Sequence, residues 1–471
     1  MNRALWGIAR VAGWMLALVV VAAALVAALR ATAIDDADRA AVALMDRPPP
    51  KLVGTNGFAA LMAADRDVPA ARRDDLVAAD VAAFTAWEAT QAAASTFWAS
   101  TDAGTLDVDA FEPLATTPVA SPPPAAEELC PLSGESCLQR VAADVEGTRA
   151  LLAKHATRVA AVEAALAADH IANPYGASMV APLPPLQYLR LPLAAAALDA
   201  VDGRVDAAYA RTCRLLAAAR RTDRQSRNLI DKFVAQGLAR GAGMLLLDLR
   251  RAQPRAELPG ECAAARVPVG IDEAAVCEAL RGEFRMQRAQ GARMEAQLAG
   301  WRPDRWLTRA LLVDEDLQAA AMARVLSPSC TEEAFTLAGD GRAPEPVDAR
   351  LTGIECWSAY ISCMLTDIAM PAYARYGERA LDHAAVLRLL LAAQRVADGD
   401  ASPARAAVEA GVPGQPVEFD AATQRASVVL HLPRDSAEAT FSVDFAGLAP
   451  AAAWRPSDAI AFAAGAHGRP P

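Results

Sequence analysis

The densest group of polar side chains that could bind a ligand lies in RRTDRQSRNLIDKF, residues 220–233. Three of its cations, Arg224, Arg227 and Lys232, could together hold a small anionic ligand. The alternative is the charged surface of an amphipathic helix, where Arg227 and Asp231 would form an i,i+4 ion pair contributing about 0.2–0.5 kcal/mol. The segment is therefore either an anion site or an ordinary solvated helix face.

Established catalytic motifs are missing from the sequence. There is no G-x-S-x-G elbow, no H-E-x-x-H, no Walker loop and no dinucleotide glycine fingerprint. The acidic groups at residues 314–316 and 332–333 lack the spaced oxygens of a calcium loop. We therefore expect no metal and no cofactor. The histidines are interpreted as solvated or structural residues: His155, His170, His383, His431 and His467.

The cysteines favour disulfides over a metal centre, because they are eight in number and no C-x-x-C pair occurs. The turn-forming sequence PLSGES predicts that Cys130 bonds to Cys137. A bend at Pro-Val-Gly predicts a second bond between Cys262 and Cys277. Eight buried free thiols in a cytosolic protein are the alternative.

The last four cysteines are harder to pair. Cys356 and Cys363 are predicted to lie on one continuous helix, about 10.5 Å apart along its axis. A disulfide needs Cα atoms within about 7 Å, so these two are not expected to bond. Their partners would then be Cys330 and Cys213. We expect Cys330–Cys356 with Cys213–Cys363, and the crossed pairing stays open.

Residues 11–29 form an uninterrupted apolar run of 19 residues. As a helix this run reaches roughly 28 Å, close to the thickness of a hydrocarbon core. It predicts a transmembrane helix at 11–30, a cytoplasmic tail at 1–10 and an exported C-terminal domain in the bacterial periplasm. Two alternatives are a signal peptide cleaved after Ala33 and a buried helix of a soluble protein.

The fold class predicted for the remainder is mainly α, with a helical-hairpin body and a small C-terminal antiparallel β meander. A long helix is predicted at 138–170, and a helical hairpin turns at Asp202-Gly203. Helical patterns run at 305–325 and at 353–398, where residues 353–370 are predicted to be one continuous helix, and a loop is predicted at 327–352. The predicted regions are a helical region (31–110), a Pro-rich connector (111–129), a helical domain (130–400), a β appendage (401–460) and a flexible tail (461–471).

Composition argues against nucleic acid as a partner. Only three of the 46 basic residues are lysine, a bias that fits a G+C-rich bacterial genome, and the net charge is −10. The expected partners are the lipid bilayer, through the first helix, and another protein of the cell envelope.

Three segments, GTNGFAALMA, ELCPLSGESCL and RNLIDKFVAQGLAR, together resemble a family of uncharacterised single-span bacterial envelope proteins. The resemblance implies an anchored envelope protein and no particular activity. The last helix and sheet are also similar in layout to pseudopilin-type proteins. Leu18 stands where the pseudopilin pattern requires Glu, so pilus assembly is not expected.

Two functions are compatible with these features. The first is a non-enzymatic, membrane-anchored periplasmic protein that binds or scaffolds other envelope components. The alternative is a periplasmic hydrolase with a site assembled from dispersed Asp, Glu, Ser or His residues. A deep pocket with acidic or His residues of shifted pKa would favour the hydrolase.

Overall fold

The computed structural model describes most of the chain. The described residues are 2–94, 111–119, 122–254, 256–297, 313–345, 347, 356, 359–373, 375–432, 439–446 and 448. Within them the protein is mainly helical, with a small antiparallel sheet near the C-terminus, as predicted. The predicted tail at 461–471 and residues 305–312 of a predicted helix lie outside the described residues.

The amino-terminal region contains a long helix followed by three shorter ones. A capping box at Asp35 begins the second helix, because its carboxylate accepts from the Asp38 backbone N–H at 2.8 Å and the reverse bond is 3.2 Å. Among the described residues, no helix is long and apolar enough to cross a membrane, so the predicted span at 11–30 stays a prediction. The four helices are α1 (Asn2–Ala33), α2 (Asp36–Met45), α3 (Phe58–Met62) and α4 (Arg73–Ala94).

The predicted long helix at 138–170 is wrong, because the chain forms three short helices there. The first break is at Asp144, whose carboxylate accepts from the backbone N–H of Gly147 at 2.9 Å and so starts a new helix. The second break is at His155, which leaves helical geometry at φ −108° and ψ 21°. The three helices are α5 (Cys137–Ala143), α6 (Val145–Lys154) and α7 (Ala156–Ala167).

The predicted helical hairpin is present and carries the main core. Its turn uses Gly203 at φ +80°, a conformation that a side chain would strain. Leu193, Leu216 and Leu246 belong to the buried cluster between its helices and the next. The helices are α8 (Leu191–Val201), α9 (Val205–Gln225) and α10 (Leu229–Ala252).

The remaining helices correct two sequence predictions. The predicted loop at 327–352 contains a helix, which Thr331 caps by accepting from the Ala334 backbone N–H at 3.1 Å. The helical pattern at 353–398 corresponds to two helices, and the continuous helix predicted at 353–370 is wrong in its beginning, because the helix starts only at Tyr360 and carries Pro371 near its end. These elements are α11 (Glu261–Ala265), α12 (Ile271–Ala274), α13 (Cys277–Gln297), α14 (Glu315–Leu326), α15 (Glu332–Gly339), α16 (Tyr360–Tyr373), α17 (Tyr376–Ala397) and α18 (Pro403–Ala410).

The C-terminal sheet is a three-stranded antiparallel meander in the order β1-β2-β3, as predicted. Alternation sets its orientation, since Phe441 and Val443 are buried while their neighbours in β3 are exposed. The buried face packs on α17 and α18. The strands are β1 (Val417–Asp420), β2 (Arg425–Val429) and β3 (Thr440–Asp444).

Four disulfides pair all eight cysteines, and one predicted pair is among them. Cys130 and Cys137 bond across the predicted turn, with Cα atoms 5.1 Å apart. The other bonds are Cys213–Cys262, Cys277–Cys330 and Cys356–Cys363.

The predicted Cys262–Cys277 bond is wrong because packing between helices decides both partners. Cys262 lies in α11, which packs on α9 and brings its Cα within 4.8 Å of Cys213. Cys277 begins α13, where its Cα is 4.9 Å from Cys330. A bend in the sequence between two cysteines was too local a signal.

The exclusion of a Cys356–Cys363 bond is also wrong. Cys356 precedes the first residue of α16, Tyr360, so the two cysteines do not share a helix and their Cα atoms lie 5.8 Å apart. The predicted partners Cys330 and Cys213, in either combination, are wrong as well, because Cys330 bonds to Cys277 and Cys213 bonds to Cys262.

Candidate functional site

A cleft of about 620 Å³ opens between α10, α17 and the end of β2. We call it the arginine cleft, because its lining includes Arg240, Arg375 and Arg379, together with Asp382 and His383. The lining holds three arginines and one aspartate, and one of these arginines, Arg375, lies 3.8 Å from the carboxylate of Glu378 outside the lining.

Aromatic rings position two of these arginines. The guanidinium of Arg240, on α10, lies over the ring of Phe441 at 5.2 Å from its centroid. The guanidinium of Arg379, on α17, lies over Tyr376 at 5.4 Å. Such a contact orients a guanidinium through the face of the ring. The guanidinium of Arg379 in particular is held in this way at the cleft and suits the recognition of an anion.

The aspartate of the cleft is already engaged by the sheet. The carboxylate of Asp382 accepts hydrogen bonds from the backbone N–H of His431 at 2.7 Å and of Leu432 at 2.8 Å. The side-chain amide of Gln415 donates a third at 3.0 Å. Burial raises the pKa of Asp382, and these hydrogen bonds oppose that rise. Asp382 thus joins α17 to the end of β2 instead of neutralising an arginine.

The inner wall of the cleft contains a buried, neutral histidine. His383 is only 9% exposed, and its Nε2 has no hydrogen-bond partner among the described residues. Burial, reinforced by the charges of Lys232, Arg240 and Arg220, lowers its pKa to about 3. The imidazole is therefore uncharged at neutral pH and can offer a ligand either a donor or an acceptor.

A buried ion pair lies behind this wall. Lys232 and Asp223, each 2% exposed, meet at 2.8 Å between Nζ and Oδ1. Gln236, which also lines the cleft, donates to the same Oδ1 at 3.2 Å, and Oδ2 has no described partner. Burial raises the pKa of Asp223 to about 6 even though Lys232 lowers it.

The residues predicted to bind an anion do not converge on one surface. The ammonium group of Lys232 forms a buried ion pair with Asp223. Arg224 lies 3.7 Å from the carboxylate of Glu273, and Arg227 donates to the backbone carbonyl of Pro50. These contacts separate the three cations that sequence places within one segment.

The alternative interpretation, a single amphipathic helix through this segment, holds only in part. The chain breaks between α9 and α10 at Ser226, at φ −62° and ψ 134°. Asn228 then caps α10, and its side chain, not that of Arg227, contacts the Asp231 carboxylate at 2.6 Å. Burial raises the pKa of Asp231 to about 6.

Sequence reasoning missed the arginines of the cleft. Arg375, Arg379 and His383 recur at every fourth residue, and Gln236 and Arg240 repeat that step on α10. This spacing places each set on one helix face. It does not indicate that the two faces meet, which depends on how α10 packs against α17.

Compared with known protein families, curated proteins and solved structures, the chain matches none of them. In the described part of the chain, no group of three or more His, Cys, Asp or Glu side chains is placed to hold a metal ion. The function is therefore inferred from the protein's own residues.

Proposed function

We propose that this protein is a membrane-anchored, anion-binding component of the bacterial cell envelope, with its C-terminal domain in the periplasm. The observation that carries the binding proposal is the arginine cleft, whose lining contains three guanidinium groups and a single carboxylate that the sheet already engages by hydrogen bonds. A phosphate or carboxylate group accepts several N–H donors at once, so such a group on a small molecule or a partner protein fits this lining.

The anchor is supported by the apolar run and by the surface of α1. Large apolar side chains along it, among them Trp14, Leu18, Val21 and Leu25, are exposed. Exposure to water costs about 25 cal/mol for each Å² of apolar surface, a cost that lipid removes. At its other end, Arg30 pairs with Asp314 at 3.2 Å, which ties the helix to the body.

The compartment is supported by the cysteines. All eight are in disulfides, and such bonds persist in oxidising compartments such as the periplasm. A single-pass inner-membrane protein with its tail at 1–10 in the cytoplasm would place every cysteine on the oxidising side.

Binding is preferred over hydrolysis because of the chemistry of the lining. Arginines stay protonated and so hold charge instead of transferring protons. The pKa of His383, about 3, is far from the neutral range in which a general base works best. The groups of the cleft are therefore suited to hold an anion.

The binding proposal is tested by calorimetric titration of the full chain in nanodiscs with inorganic phosphate and with succinate, at low ionic strength. We expect at least one to bind, and Arg379→Gln to weaken binding about tenfold or more. Arg39→Gln changes an exposed arginine paired with Asp36 and should have no effect. Equal binding by the wild type and Arg379→Gln, or no binding of either anion, would overturn the proposal.

The anchor is tested separately by alkaline extraction of membranes. We expect the full chain to remain in the pellet and mass spectrometry to detect residues 1–29. The double variant Leu18→Arg, Val21→Arg should be released, because each charge at the centre of a membrane helix costs about 2.5–3.5 kcal/mol, whereas Leu18→Ala, Val21→Ala should be retained. A mature chain that starts at Ile34 contradicts the anchor.

A further inference from the structure

A second cavity, of about 690 Å³, lies on a different face of α17 from the arginine cleft. It is enclosed by α17, by α18 and by the loop that leads into α12. We call it the Arg388 pocket. Its apolar lining includes Val267, Val269, Ile271, Leu391, Ala406 and Ala410.

Arg388 is the unusual residue of this pocket. Its Nη1 is shielded from solvent and has no hydrogen-bond partner within the described part of the chain. Burial lowers its pKa, and the charge of Glu273 opposes that change. Glu273 itself is held by Arg220, at 2.7 Å and 2.8 Å, and by the Gly270 backbone N–H at 3.0 Å.

The other charged groups that line the pocket have partners or face solvent. Arg266 pairs with Asp398, which also pairs with Arg250. Arg395 pairs with Glu409 at 2.5 Å. Asp400 is exposed. Within the described part of the chain, Arg388 is thus the cation of the pocket that makes no ion pair, and Glu273 acts on it only from a distance.

The Arg388 side chain is half-buried, and leaving its shielded Nη1 without an acceptor costs free energy. A bidentate carboxylate is the partner that fits the geometry of a guanidinium best. The walls restrict the rest of the ligand. They are mostly aliphatic, and they continue to the surface through Val267 and Ile271, which are 52% and 43% exposed. Along the aliphatic wall of Val269, Ile271 and Leu391, a polar ligand body would leave its own hydrogen-bonding groups unsatisfied.

We propose that the Arg388 pocket binds an aliphatic monocarboxylate. The carboxylate pairs with Arg388, and the alkyl chain lies along Leu391 and Val269 toward the opening at Ile271. The volume lies in the range of about 300–1,000 Å³ that is usual for small-molecule sites. This site is separate from the arginine cleft and does not depend on the function proposed for it.

Titration calorimetry with octanoate tests the proposal, on the full chain in nanodiscs with empty nanodiscs as the blank. Two probes separate the parts of the ligand: acetate lacks the chain, and octan-1-ol lacks the charge. We expect octanoate to bind at least tenfold more tightly than either. Equal binding of octan-1-ol and octanoate, or no binding of octanoate, would overturn the proposal.

Two variants locate the site. Arg388→Met keeps an unbranched side chain and removes the charge, so it should weaken octanoate binding about tenfold or more without lowering the thermal midpoint. Val267→Asp places a like charge at the exposed opening and should also weaken binding. Arg39→Gln should bind octanoate like the wild type. If Arg388→Met and Val267→Asp both bind octanoate normally, the pocket is not the site.

Discussion

Glu273 and Asp223 are two buried carboxylates, each paired with a buried cation, and they differ in how completely they are satisfied. Arg220 donates to both oxygens of Glu273, and the Gly270 backbone N–H adds a third hydrogen bond. Lys232 reaches only Oδ1 of Asp223, so Oδ2 has no described partner. Because a half-satisfied buried pair retains more of its desolvation cost, the first pair should stabilise the fold and the second should be open to titration.

The chemistry of the two cations explains the difference. The planar guanidinium of Arg220 holds Glu273 bidentately and still donates to the backbone carbonyls of Ala265 and Pro268 at 2.9 Å and 3.0 Å. The ammonium of Lys232 acts as a point charge, and its second contact is the Asp272 carbonyl at 3.3 Å. Arg220 therefore fastens the loop before α12 to α9, whereas Lys232 serves mainly to balance one charge behind the arginine cleft.

The largest expected effect is that of Arg220→Met. The change leaves Glu273 buried without its cation and leaves the loop carbonyls without donors. We expect the free energy of unfolding to fall by about 3–5 kcal/mol, measured by urea denaturation with the disulfides intact. Arg214→Met is the matched control on the same helix, since its partner Glu261 is exposed, and it should cost less than about 1 kcal/mol. Similar losses for both variants would contradict the structural role of the Arg220 pair.

The second effect is a dependence of the free energy of unfolding on pH, caused by the titration of Asp223. Its pKa of about 6 in the folded protein lies above the ordinary value of 3.8, so the native state binds more protons than the unfolded state between about pH 4 and pH 6. The free energy of unfolding should therefore fall by roughly 1–3 kcal/mol from this group as the pH rises through that window.

Asp223→Asn removes this contribution, and urea denaturation at several pH values measures the difference from the wild type. Asp231 also has a pKa of about 6, so the variant should flatten the pH dependence only in part. If the free energy of unfolding changes with pH to the same extent in the wild type and in Asp223→Asn between pH 4 and pH 6, Asp223 is not the titrating group.

The smallest effect is expected when both partners of the Asp223–Lys232 pair are replaced together, and the same double change in the Glu273–Arg220 pair gives the comparison. Asp223→Asn with Lys232→Met leaves no buried charge behind, so stability at neutral pH should change by no more than about 1 kcal/mol. Glu273→Gln with Arg220→Met should still lose about 2 kcal/mol or more, because the carbonyls of Ala265 and Pro268 keep no donor. Equal effects of the two double variants in urea denaturation would remove the distinction between the pairs.

Local signals in the sequence predict local structure well. The Asp202-Gly203 turn, the C-terminal meander and the Cys130–Cys137 bond each depend on residues that are close in the chain. The failures have a different physical origin. Asp144 broke a helix because a short carboxylate competes for backbone donors, which apolar periodicity does not register.

Local sequence patterns could not predict the arginine cleft. Lys232 lies close in sequence to Arg224, yet its side chain is buried in an ion pair with Asp223. The cleft instead combines Arg240 on α10 with Arg379 on α17, which are far apart in the chain. Only the packing of these two helices determines that their polar faces meet.

The disulfides have a consequence for how the protein matures. Each bond joins a cysteine to the next one along the chain: Cys130–Cys137, Cys213–Cys262, Cys277–Cys330 and Cys356–Cys363. Eight cysteines can be paired in on the order of a hundred ways, and this set is the one reached by oxidising them in the order in which they emerge. A chain that enters an oxidising compartment amino end first can therefore acquire its native bonds from a simple oxidant, with no wrong pair to be reshuffled by an isomerase.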